Sequence, residues 1–133
     1  MKQILGSFEK VNFPEFGMKN ITAKVDTGAF TGALHATKIH EKEEGGVRVL
    51  YFSPFDHPRT VYKTDNFERG IVKSSNGATS ERYFIETRIE VRGKPYAVTL
   101  TLANRSEMKW PVLIGRRFLH TNEFIVDVAE RKS

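Results

Sequence analysis

Residues 23–36 read Ala-Lys-Val-Asp-Thr-Gly-Ala-Phe-Thr-Gly-Ala-Leu-His-Ala: an apolar strand that runs into Asp26-Thr27-Gly28 and leaves through small residues. Just upstream, Ile21, Ala23 and Val25 alternate with polar partners, the period of a half-buried strand. A strand ending this way sets a carboxylate on a tight turn at the edge of a β core. A carboxylate there can activate water only if it is ionised while a neighbouring acid is protonated. Two carboxyls in contact meet that condition, because like charges so close cannot both ionise and their pKa values separate. Thr27 can hydrogen-bond at the base of the loop, and Gly28 lets backbone or substrate approach where a Cβ would clash. Turns also use Asp and Gly freely, so these three letters alone fit an ordinary strand end as well.

A second signal lies at residues 110–119, W-P-V-L-I-G-R-R-F-L, an apolar run followed by Gly115 and Arg116 and then a segment able to begin a helix. The pairing of D-T-G-A with a later I-G-R resembles the retropepsin-like aspartic protease fold. Further strings extend the match: L-H-A behind the loop, S-S-N-G-x-x-x-E-R-Y at 74–83, T-L-x-N-R-x-x-M at 101–108 and I-V-D at 125–127. Together they resemble a bacterial and archaeal family often labelled ATP-dependent zinc proteases and considered retropepsin-like. The resemblance covers residues from about Ile4 to Val128.

That resemblance implies an all-β domain spanning residues 1–133, a small closed barrel with one short helix. It assigns Asp26, Thr27 and Gly28 to the catalytic loop, and Gly115 and Arg116 to its structural support, with Arg116 expected in an ion pair. A single D-T-G must find its second carboxyl elsewhere. The resemblance supplies it from a second copy across a two-fold axis, so a homodimer is expected, with a water between two Asp26 side chains. Relatives of the family are associated with ATP-grasp ligases that add glutamate to proteins, which implies cleavage near acidic tails. Arg82 and Arg105 lie in the shared strings, and their planar guanidinium groups suit carboxylate recognition. With Ala29 they form the expected substrate-binding set. Gly32 stands where the family pattern carries a serine, and Phe30 where it carries a charged or polar residue. The missing hydroxyl removes a hydrogen bond behind the loop.

The rest of the chain reads as strands. Pro14 and Gly17 within 9–19 suit a turn between two of them. Residues 38–44 and 47–53 flank Gly45-Gly46 as a hairpin, with short strands at 60–64 and 67–73 to follow. Ser74-Ser75-Asn76-Gly77 is a hairpin turn, and Gly93-Lys94 closes another. Between them Tyr83, Ile85, Thr87, Ile89 and Val91 alternate with Arg82, Phe84, Glu86, Arg88 and Glu90, so one face is exposed. Such long hairpins suit flaps over a cleft. Residues 116–120 allow one or two helical turns, and 123–128 a last strand in which Asp127 caps a turn.

At 133 residues the chain can bury the core of one domain. It holds no run of eighteen apolar residues and its start, M-K-Q-I-L-G, lacks the apolar segment of a signal peptide. With no cysteine, disulfides and thiolate metal sites are excluded, and a cytoplasmic location is expected with no membrane partner. A net charge of +5 favours acidic partners. No Lys and Arg run interleaved with aromatics marks a nucleic-acid face, so the expected partner is an acidic peptide or protein.

Four histidines, His35, His40, His57 and His120, form no H-E-x-x-H pattern, and there is no phosphate-binding G-x-x-x-x-G-K. No metal or cofactor is therefore expected, and His35 reads as a structural hydrogen-bonding residue behind the loop. Three readings stay open: an aspartic peptidase using paired Asp26, a metallopeptidase using His35, His40 and Glu43, and a non-catalytic β module that binds acidic segments. The aspartates at 56 and 65 read as loop residues.

Overall fold

The computed structural model describes residues 3–55, 59–73, 77–104 and 110–129. Eleven strands form two sheets, with one 3-10 turn at Pro14–Phe16 and one helix, α1, at Arg116–Thr121. The strands are β1 (Gln3–Leu5), β2 (Phe8–Phe13), β3 (Met18–Val25), β4 (Gly32–Glu44), β5 (Val47–Pro54) and β6 (Tyr62–Thr64). They continue as β7 (Phe67–Lys73), β8 (Thr79–Val91), β9 (Lys94–Ala103), β10 (Val112–Ile114) and β11 (Phe124–Val126). The larger sheet runs β10-β3-β2-β8-β9-β4, and an added pairing of β10 with β4 closes those six strands into a ring. The protein is all-β with one short helix, as expected from the sequence.

The ring closes over a continuous apolar core. Phe13, Leu34, Ile85, Ile89, Leu100, Val112 and Ile114 are at most 2% exposed. Removing such side chains from water, at about 1.5–3 kcal/mol each, is what draws the strands together. A charge pair between a buried carboxylate and an exposed arginine ties one end: Glu9, 3% exposed, accepts from Arg92 Nε and Nη2 at 3.1 and 2.8 Å and from the Gly6 amide at 2.8 Å. Residues 9–13, which the sequence placed in a turn, are thus strand, and the turn itself is confined to Pro14–Phe16 and Gly17.

Two strands outgrow the ring and build arms. β4 begins buried at Gly32–Ala36 beside β9, shifts register between Thr37 and His40 with Lys38 at φ +54°, and continues outward paired with β5. Residues 32–36, the strand part of the 30–36 segment, and the segment at 38–44 therefore belong to one bent strand. The expected Gly45-Gly46 turn joins it to β5, both glycines at positive φ. β8 likewise pairs along its outer half with β7 and along its inner half with β9. The β8–β9 turn is Arg92-Gly93, one residue earlier than the sequence suggests, since Val91 pairs with Lys94 and both turn residues have positive φ. The Ser74-Ser75-Asn76 turn lies outside the described residues. β1 and β11 form a separate parallel pair. No helix among the described residues is long and apolar enough to cross a membrane.

Candidate active site

β3 delivers Asp26 to the surface, and parallel pairing with β10 fixes where it emerges. Val112, Leu113 and Ile114 lie opposite Ala23, Lys24 and Val25, and the Asp26 amide donates to Ile114 O at 2.8 Å. Beyond the strand the chain turns tightly: Ala29 N–H donates to Asp26 O at 3.2 Å, and Gly28 N–H donates to Asp26 Oδ1 at 3.0 Å. The carboxylate is half-buried, with one oxygen engaged by its own loop.

The second motif clasps this loop from outside. Arg116 N–H donates to Ala29 O at 2.8 Å and Arg117 N–H to Phe30 O at 3.0 Å. The Arg116 guanidinium donates to Thr27 O and Gly28 O at 3.3 and 3.2 Å and lies over the Phe30 ring. Gly115 is required because a Cβ there would sit 2.6 Å from Phe30 O and 2.8 Å from Gly32 N. A Cβ at Gly32 would sit 2.2 Å from Leu113 O. In this backbone a serine at position 32 would collide with β10, so the glycine is a packing requirement and more than a lost hydroxyl.

Asp26 opens onto a cleft of about 330 Å³ walled by the loop, β7, β8 and β9. Gly28, Ala29, Thr31, Thr101 and Arg82 also line it. Its wall carries one carboxylate, Asp26, against two cations, Lys73 and Arg82. Ser80 Oγ accepts from Arg82 Nε at 3.1 Å and so steadies the guanidinium at the cleft.

Residues 4–133 match the family model described as RimB-like, retropepsin-like aspartic endopeptidase RimB. The chain belongs to this family. It is 37% identical over 134 residues to proteins of Shewanella pealeana and Shewanella halifaxensis, each described as a probable alpha-L-glutamate ligase. A Desulfotalea psychrophila protein with the same description is 34% identical over 135 residues. These alignments cover 96–97% of this chain but only 28–29% of the relatives, so the chain spans under a third of their length. The crystal structure of a Legionella pneumophila protein of unknown function superposes with a TM-score of 0.78 at 28% identity, covering 100% of this chain and 98% of that one.

Within this RimB-like fold the residues singled out from sequence fall into three groups. Asp26, Gly28, Ala29 and Arg82 converge on the cleft, although Arg82 is 56 positions from Asp26 in the chain. Thr27, Gly115 and Arg116 form the clasp beside it; Thr27 is exposed and is held through its carbonyl. Arg116 bonds to loop carbonyls where an ion pair was expected. His35 lies buried in β4, its carbonyl accepting from Phe55 N–H at 2.7 Å and its amide donating to Pro111 O at 2.9 Å. Arg105, His57 and Asp56 lie outside the described residues.

His40 and Glu43 sit on the exposed outer part of β4, where His40 stacks on Tyr51, while His35 is in the core. Among the described residues no group of three or more His, Asp or Glu side chains is placed to hold a metal ion. Sequence reasoning missed Lys73, Thr31 and Thr101. Nothing in a lone Lys or Thr marks it before β7 and β9 are folded against the loop.

Charges on the β4–β5 arm are paired. Glu41, on the β4–β5 arm, accepts from Tyr83 Oη at 2.6 Å and Arg48 Nη2 at 3.0 Å and lies 3.5 Å from Arg69 Nε. The Tyr83 hydroxyl first, and then Arg48, hold its carboxyl below the usual 4.5. Arg48, Arg69, Arg92 and Lys63 all have carboxylate partners, whereas among the described residues neither Lys73 nor Arg82 does.

Proposed function

We propose that this protein is an aspartic peptidase that hydrolyses peptide bonds in acidic, glutamate-rich protein tails, working as a homodimer with a water held between two Asp26 carboxyls. The observation that carries the reading is the cleft itself, where the D-T-G carboxylate shares one wall with two cations, Lys73 and Arg82, that have no carboxylate partner among the described residues. Cations beside a reactive group that no carboxylate neutralises suit a ligand that brings its own negative charge. The glutamate-ligase description of the relatives agrees with a glutamate-rich substrate.

The chemistry follows from pairing the carboxyls. One Asp26 is ionised and takes a proton from the water as its oxygen attacks the scissile carbonyl carbon; the other is protonated and gives its proton to the carbonyl oxygen. The resulting tetrahedral diol collapses as the C–N bond breaks: the leaving nitrogen takes the proton held by one carboxyl, a diol hydroxyl gives its proton to the other as the product carbonyl forms, and the pair again shares one proton. Apolar surface for a second copy is available beside the loop and on the small sheet. Phe30 is 59% exposed, and the register partners Ile4 and Ile125 are 47% exposed each.

Mass-spectrometric cleavage of peptides with glutamate tails tests the proposal, with and without a chelator. Wild type is expected to cut and to ignore the chelator, and Asp26→Asn to lose cleavage. Arg82→Gln is expected to raise KM about tenfold or more, the loss of one charge-assisted contact. Loss on chelation would replace the aspartic mechanism with a metal one. Binding without cleavage by folded wild type would leave a non-catalytic acidic-peptide module.

A further inference from the structure

The cleft does not end at the catalytic loop. Thr31, on its wall, also lines a neighbouring hollow of about 200 Å³ that is walled by Gly32, Thr99, Glu86 and Arg117. A third hollow, of about 220 Å³, shares Glu86, Thr99 and Arg117 with the second, is lined by Glu68 as well, and ends against Phe67 and Phe84. Shared wall residues make the three hollows successive stations of one groove, with Asp26 at one end and Arg117 between the outer two.

Arg117 is exposed, and its backbone is fixed because its amide bonds to Phe30 O at 3.0 Å. Its guanidinium has no ion pair among the described residues, even with Glu86 on the same wall. The groove thus presents cations in sequence: Lys73 and Arg82 beside the carboxylate, then Arg117 beyond Thr31.

We infer that Arg117 forms an outer anionic subsite that binds a side-chain carboxylate of an acidic tail several residues from the bond at Asp26. This inference rests on the acidic-substrate reading and adds a length preference to it. A tail that reaches Arg117 binds more tightly than one that fills only the Asp26 cleft. Glu86 and Glu68 limit the gain, since both place a like charge on the walls around the bound carboxylate.

Binding to the full chain carrying Asp26→Asn, which prevents turnover, tests this by fluorescence anisotropy with two labelled peptides of one core sequence, ending in two or six glutamates. The six-glutamate peptide is expected to bind more tightly. Adding Arg117→Gln should remove about fivefold of that advantage, as expected for one solvent-exposed charge pair, without changing the two-glutamate peptide. Arg117→Lys should restore part of it, and Glu86→Gln should enlarge it. Arg82→Gln should weaken both peptides alike. If Arg117→Gln leaves the length advantage whole, the outer subsite is wrong while the acidic-substrate reading stands. If neither peptide binds, both fall.

Discussion

Asp26 and Asp127 occupy the same local geometry and have different surroundings. Each follows the last residue of a strand in a parallel pair, β3 with β10 and β11 with β1. Each donates its amide to a carbonyl of the neighbouring strand at 2.8 Å, Asp26 to Ile114 and Asp127 to Leu5. Each also accepts, through Oδ1, the amide two residues ahead at 3.0 Å. The Asp26 loop is then clasped by Gly115 and Arg116 and opens into a cleft lined by Lys73 and Arg82, whereas Asp127 is exposed. A strand-ending aspartate on a tight turn is thus a common structural device. What sets one apart is the backbone packed over its loop and the charge of the space it faces.

The sharpest way to break this comparison is to neutralise both. Asp26→Asn should lower peptide cleavage by about 10²–10⁴-fold, the usual weight of a general acid–base group. Asp127→Asn should leave kcat and KM unchanged and cost under about 1 kcal/mol in urea unfolding, as for one exposed hydrogen bond. Equal losses from the two would mean that the clasp and cleft confer nothing.

The clasp can be tested separately. Gly115→Ala places a methyl 2.6 Å from Phe30 O, against the backbone of residues 30–32. It should cost about 1–3 kcal/mol or more of stability and should depress cleavage by displacing the loop. Alanine at Gly17, where nothing lies within 4 Å of the added Cβ, meets only the strain of positive φ. It should spare cleavage, so comparing the two separates backbone strain from collision.

A smaller effect contrasts the paired charges of the arm with the unpaired charges of the cleft. Glu41 has a folded pKa below its unfolded value, so its contribution to stability is present above the ordinary carboxylate range and is lost as pH falls through the lowered value. Protection factors of the β4–β5 amides, which divide out the intrinsic slowing of exchange in acid, should therefore fall on acidification below about pH 4.5. Glu41→Gln should flatten that dependence and leave exchange in the Asp26 loop unaltered. An arm that keeps its acid sensitivity in the variant would locate the titrating group elsewhere.

Much of this architecture is legible in the residues. Alternation along 20–25 and 83–91 marks strands because one face meets the core and the other meets water, and Gly45-Gly46 marks a turn because only positive φ closes a two-residue hairpin. D-T-G-A and I-G-R were legible as contiguous strings, but the bonds that join them were not, since Arg116 reads as an ion-pair residue and instead donates to loop carbonyls. Fusion of 32–36 with 38–44 into one bent strand was not legible either, because the bend rests on Lys38 in a positive-φ conformation that its side chain does not advertise. Nor were Lys73 and Arg117 as groove cations, since their meaning comes from which strands face the loop. Glu9 reads as a turn residue until Arg92, 83 positions away, closes over it from the surface.

The central claim is that two chains share one site, and subunit mixing tests it most directly. Wild-type protein is allowed to exchange subunits with increasing amounts of Asp26→Asn at constant total concentration, and the initial cleavage rate is followed. If each active site needs an ionisable Asp26 from both copies, the rate should fall as the square of the wild-type fraction. A linear fall would show that each chain carries a complete site of its own and would contradict the account.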